Sequence, residues 1–184
     1  MNAIEIMVDE HRYIKRMLVV VRKLCIKIMN GEDVNFSDFY RVMDFVKNYA
    51  DIHHHGKEEQ LLFNRMLDET GKVAEKLIKS GMLVEHDLGR LYMADLRSAL
   101  EKYEKGDEES KLDIISNAMG YTYLLKRHIE KEDEVVYKFA ERSLSKETLA
   151  EIEVQCIEFE KKQSAEGIQT KYIALLEELE KKLK

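Results

Sequence analysis

The sequence predicts an all-α protein: an up-down-up-down four-helix bundle over residues 1–143, with additional C-terminal helices over 144–184 packed outside it as part of the same domain. Three observations carry that expectation. The 184 residues include no proline and only eight glycines, and 36% are charged, a composition of long solvated helices. Apolar residues recur at steps of three and four, which places them on one helical face. The chain also repeats itself: a Glu-His dipeptide followed by a His-x-x-x-Glu stretch occurs twice, with 43 residues from His11 to His54 and 42 from His86 to His128.

The first helix is expected from about Ile4 to Met29, with Ile4, Met7, His11, Ile14, Leu18, Val21 and Cys25 on one stripe and a stop at Asn30-Gly31. The second begins near Asn35, where Asn35 and Ser37 compete as caps. It keeps Phe39, Met43, Val46, Ala50, His54, Leu61 and Phe63 inward up to Thr70-Gly71. Lys72 to Lys79 reads as a short helix or an ordered connector, broken at Ser80-Gly81. The third helix covers Met82 to Lys105, with His86 inward and Gly89 beside it at a close helix approach. The fourth runs from about Glu108 to Ser143, with Tyr121, His128, Val135 and Phe139 inward. Ser145 opens a fifth stretch to about Ala165, and after Glu166-Gly167 helix resumes to Lys184. The stripe of Leu149, Ile152, Cys156 and Phe159, then Tyr172, Leu176 and Leu179, needs cover from the bundle or from a partner, so an oligomer formed through these helices is open.

Composition narrows the function. A net charge of −6 provides no broad basic surface for nucleic acid. The longest apolar run, Met17 to Val21, is too short for a membrane span, and Met1 to Glu10 lacks a basic signal-peptide start. Cys25 and Cys156 form no metal-binding spacing and read as buried, reduced thiols, which points to the cytoplasm. His-Glu-x-x-His, Glu-x-x-His, phosphate-loop and serine-elbow motifs are all missing.

What remains is chemistry by convergence. A histidine and a glutamate four apart share a helical face, so His54 with Glu58 and His128 with Glu132 each offer two ligands to one spot. His55 with Glu59 fits the same spacing, but the match of Leu61-Leu62-Phe63 to Val135-Val136-Tyr137 favours His54 and Glu58, leaving His53 and His55 as flanking or solvent-facing. With His11 and His86, two packed halves bring four imidazoles and two carboxylates together, a donor set suited to Fe, Mn or Zn. Glu59, Asp133, Glu130 and Glu134 are candidate acceptors for imidazole N–H groups.

The stretches Glu85 to Arg90, His128 to Asp133 and His54 to Phe63 resemble the hemerythrin-like, HHE cation-binding domains over about residues 4–140. Phe159 to Leu183 is similar to the extra C-terminal helices many members carry. The resemblance implies a non-haem di-iron centre, with His11, His54, His86 and His128 as terminal imidazole ligands and Glu58 and Glu132 as bridging carboxylates. Two ferrous ions against two carboxylates leave positive charge that invites an oxo or hydroxo bridge. The oxygen-carrying members have a second histidine one turn after the helix-3 histidine, where this chain has Arg90, and an aspartate five residues after the helix-4 histidine, where Glu132 stands at four. Open positions on the metals then favour a protein that binds or reacts with O2, peroxide or NO, unless His53 or His55 supplies the missing ligand; whether Glu59 also ligates is left open. Alternatives are iron sensing or donation for iron-sulfur centre repair, and a structural helical interaction module.

Overall fold

The structure, a computed structural model, describes residues 1–184 and contains six helices and no strand. Helix α1 is Ala3–Met29, opened by a reciprocal cap in which Asn2 accepts from the Glu5 backbone and Glu5 accepts from that of Asn2. Helix α2 starts at Phe36, capped by Asn35 rather than Ser37, and runs through Val46–His55 and Glu58–Phe63 into Asn64–Glu69. Helix α3 comprises Gly71–Leu77, Ile78–Met82 and Leu83–Glu104. Helix α4 comprises Ser110–Lys131, Glu132–Val136 and Tyr137–Ser143. Helices α5, Lys146–Ala165, and α6, Ile168–Lys182, follow, with Ser145 capping α5 through the Thr148 amide.

Lys72 to Lys79 is therefore neither a separate helix nor a connector. The break falls at Gly71, whose φ of +71° an L side chain rarely adopts, and Ser80-Gly81 is absorbed in a wide turn. The close approach expected at Gly89 also lies elsewhere. A Cβ at Gly89 would make ordinary contact with Leu125 and Tyr121, whereas one at Gly120 would meet the Tyr92 ring at 2.5 Å.

Several segments wind with i→i+5 hydrogen bonds, a rare pattern concentrated at functional sites. They carry His53, His54, His55, Glu58 and Glu132 or lie one turn before His86. Val135, expected inward, is exposed on one of them.

The apolar core is split in two. Ile14 to Ile28, Phe39 to Ala50, Leu96 to Leu100 and Ile114 to Ile129 form one part, closed by Tyr172, Leu176 and Leu179 of α6. Met7, Leu62, Phe63, Met66, Met82, Val136 and Tyr137 belong to the other, closed by Ile152 and Cys156 of α5. The C-terminal stripe is thus covered by the bundle itself. Between the two parts lies a buried polar layer, to which all four bundle helices contribute.

Candidate metal centre

Burying charge and imidazole between two hydrocarbon clusters is costly unless every polar atom finds a partner. The layer solves half of that problem. His11 Nδ1 donates to Asp133 at 2.7 Å, His86 Nδ1 to Glu59 at 2.7 Å, His54 Nδ1 to Glu10 at 2.8 Å and His128 Nδ1 to Glu85 at 2.9 Å. An ionised carboxylate only accepts, so each Nδ1 donates to its acid and each Nε2 is turned inward, where loss of its proton frees it to ligate a metal. Asp133, Glu59 and Glu85 are all held below the usual carboxylate range by these contacts, against their partial burial.

The pattern follows the sequence repeat. In each half the glutamate of the Glu-His dipeptide orients the histidine of the next helix, as Glu10 does His54 and Glu85 does His128. The acid after each inner glutamate orients the dipeptide histidine of the other half. Lys57 contacts Glu10 as Lys131 contacts Glu85, and Tyr137 stacks on His11 as Phe63 stacks on His86.

The inward atoms are the unsolved half. His11 Nε2, His54 Nε2, Glu58 Oε2 and both Glu132 oxygens are buried with no hydrogen-bond partner. His11 Nε2 lies 3.3 Å from Glu132 and His54 Nε2 3.6 Å from Glu58. His128 Nε2 lies 3.0 Å from Glu132 without the alignment a hydrogen bond needs. The Nε2 atoms of His86 and His128 face each other at 3.1 Å, where two lone pairs repel unless a cation or proton lies between them.

These groups perturb one another strongly. Burial, then the charge of Glu132, pushes Glu58 up to about 8. Burial opposes ionisation of Glu132 too, but His128, His11 and His86 outweigh it and hold its pKa well down. Burial and the neighbouring His11 push His54 down to about 4. For His11 and His86, burial is overcome by the facing carboxylates and the pKa rises to about 9. Such opposed shifts among touching groups make the layer a candidate functional site.

All six sequence-predicted residues, His11, His54, Glu58, His86, His128 and Glu132, converge here and are buried. Donor atoms of His11, His54, Glu58 and Glu132 lie within 4.8 Å of one another, and so do those of His55, His86 and His128.

His53 and His55 are corrected by the structure: both are buried, at 0% and 6% exposure. His55 donates to Asp51 through Nδ1 and stacks on His86, with ring centroids 3.8 Å apart. His53 packs under Phe159 of α5, its Nε2 2.9 Å from Glu10. The solvated flank expected for His53 is covered by α5. There Lys57 is buried against Glu10 and Glu160, so its ammonium sits between those two acids and offsets one of their two charges.

Of the four predicted outer acids, Glu59 and Asp133 pair with imidazoles, while Glu130 and Glu134 are exposed. Glu10, Asp51, Glu85 and Tyr137 were missed. The repeated dipeptide was the available signal for Glu10 and Glu85. Arg90 is both exposed and site-supporting, pairing with Asp51, Glu59 and Asp87.

A helical bundle with buried histidines and carboxylates converging between two halves of its core defines a cation-binding class of protein. The chain belongs to the hemerythrin HHE cation-binding domain family, whose model matches residues 2–140. Comparison with curated proteins and with solved structures returned no match. No helix is long and apolar enough to cross a membrane.

Proposed function

We propose that the layer holds two iron ions and reacts with O2, peroxide or NO. The observation that carries this reading is the set of unpartnered, buried donor atoms on His11, His54, Glu58 and Glu132 beside the facing nitrogens of His86 and His128. Imidazole and carboxylate donors fit iron, with Mn or Zn as substitutes.

In this reading His11 and His54, with Glu58 and Glu132, would hold one ion and His55, His86 and His128 the other. His55 stands opposite Ile129 in the sequence repeat, so only one half supplies a fifth imidazole and the two positions are inequivalent. Tyr137, where the other half has Phe63, breaks the symmetry again by donating its hydroxyl to Glu58. Burial and the nearby Glu58 charge push the Tyr137 pKa well up, so the hydroxyl keeps its proton and fixes that carboxylate oxygen. Glu10, Asp51, Glu59, Glu85 and Asp133 orient the rings and keep Nε2 inward. Ferrous ions, once bound, would supply electrons to a small oxidant. The buried free thiols of Cys25 and Cys156 suit a reducing cytoplasm.

Anaerobic loading with ferrous ion, followed by spectra on exposure to O2, peroxide and NO, tests the reading. Near-ultraviolet charge-transfer bands on oxidation and a nitrosyl spectrum with NO are expected. Iron that stays spectroscopically inert to all three reagents overturns the reactivity.

A further inference from the structure

A cavity of about 250 Å³ opens between α2 and α3 and runs inward to His55 and His86. Its wall is apolar where Met43, Val46 and Met93 line it. Its mouth is cationic. Lys47 and Arg97 line it from opposite helices, both exposed, and neither has a carboxylate within ion-pair distance; the Arg97 guanidinium only lies over the Tyr40 ring at 5.8 Å.

The charge is not a by-product of a basic surface, because acids outnumber lysine and arginine 36 to 30 in this chain. The third cation in the lining, Arg90, is engaged by Asp51, Glu59 and Asp87 at 2.7, 2.8 and 2.9 Å. Asp51, the acid in the lining, is held between Arg90 and His55 and so does not neutralise the mouth. Lys47 and Arg97 are left to face a ligand.

Size sets the other half of the specificity. A buried apolar cavity of about 150 Å³ accommodates benzene, so this one has room for an organic body far larger than O2 or NO. We propose that the cavity binds a small amphipathic carboxylate, its anionic head between Lys47 and Arg97 and its apolar body against Met43, Val46 and Met93. The inner end of such a ligand stops beside His55 and His86. Binding itself needs no metal; that an occupant controls access of small oxidants to the His55 and His86 side rests on the metal reading above.

Isothermal titration of the full chain with hexanoate tests the site, run on metal-free and iron-loaded protein with hexanol as the probe lacking a charged head. One saturable hexanoate site is expected in both forms, with hexanol at least tenfold weaker. A Lys47→Glu, Arg97→Glu double variant should weaken hexanoate at least tenfold. The milder Lys47→Gln, Arg97→Gln pair, checked for an unchanged melting temperature, should weaken it severalfold. Absence of saturable binding, equal affinity for hexanol, or indifference to both double variants overturns the proposal. Binding confined to iron-loaded protein also overturns it, since the anion then sits on the metal. A chain that takes up no iron leaves the metal-free titration fully informative, so the two readings fail separately.

Discussion

Glu10 Oε2 lies 2.8 Å from His54 Nδ1, so the residue directly before one candidate ligand on α1 orients another on α2. The other Glu10 oxygen takes His53 and the buried ammonium of Lys57, and Lys57 in turn reaches Glu160 on α5. Helix α5 is thereby tied to the centre through two polar contacts. Replacing Glu10 with alanine leaves Lys57 buried with Glu160 and the His53 Nε2, 3.3 Å away, as its remaining partners, and strips His54 Nδ1 of its acceptor. Loss of a hydrogen bond between charged groups costs roughly 1.5–3 kcal/mol, to be read from the urea midpoint. Lys57→Met should cost clearly less, because Glu10 keeps two imidazole donors.

Tyr137→Phe removes the hydroxyl donated to Glu58 and leaves that oxygen buried without a partner. A loss of roughly 1–3 kcal/mol follows from desolvation alone. The same substitution should shift the absorption of the oxidised iron protein, which a purely packing role for Tyr137 would leave in place.

Metal that binds only the folded chain stabilises it by about 2.7 kcal/mol at a hundredfold excess over the dissociation constant. Wild type should therefore melt higher with ferrous ion under anaerobic conditions and lose the increment on chelation. A His54→Ala, His128→Ala double variant should melt at one temperature with or without iron. A metal-dependent rise in that variant would remove these histidines from the site.

Burial pushes the thiols of Cys25 and Cys156 up to about 11, so in the folded chain both remain protonated at pH 8. A thiol reagent at pH 8 should react with neither until denaturant is added. The sign of the linkage is fixed as well. Above the ordinary thiol range the unfolded chain releases these protons while the folded chain retains them, so stability falls as pH rises through about 9 toward 11.

Much of this was legible in the amino-acid order. The repeat aligned His54 with His128 and Glu58 with Glu132, and helical spacing then fixed which residues face inward. The sequence raised His53 and His55 as suppliers of a missing ligand but favoured a solvent-facing flank for both, because successive residues on an ordinary α-helix point about 100° apart and cannot all be buried in one bundle seam. The wide turns over Val46–His55 and the cover from α5 change that geometry, and neither leaves a residue-level signature near the histidines. Glu10 and Glu85 were visible as part of the repeated dipeptides. Their role depends on which neighbouring helix each faces, and that follows only once the helices are packed.

If five imidazoles and two carboxylates hold two ions, one of them through His55, iron uptake depends on that ring. Equilibrium dialysis of ferrous ion into wild type, His55→Ala and His53→Ala, counted as iron per chain, is the decisive test. About two, one and two ions are predicted, since His53 sits under α5 beside Lys57 rather than among the inward donors. Fewer than one ion in wild type, or a His55→Ala count equal to wild type, would contradict it.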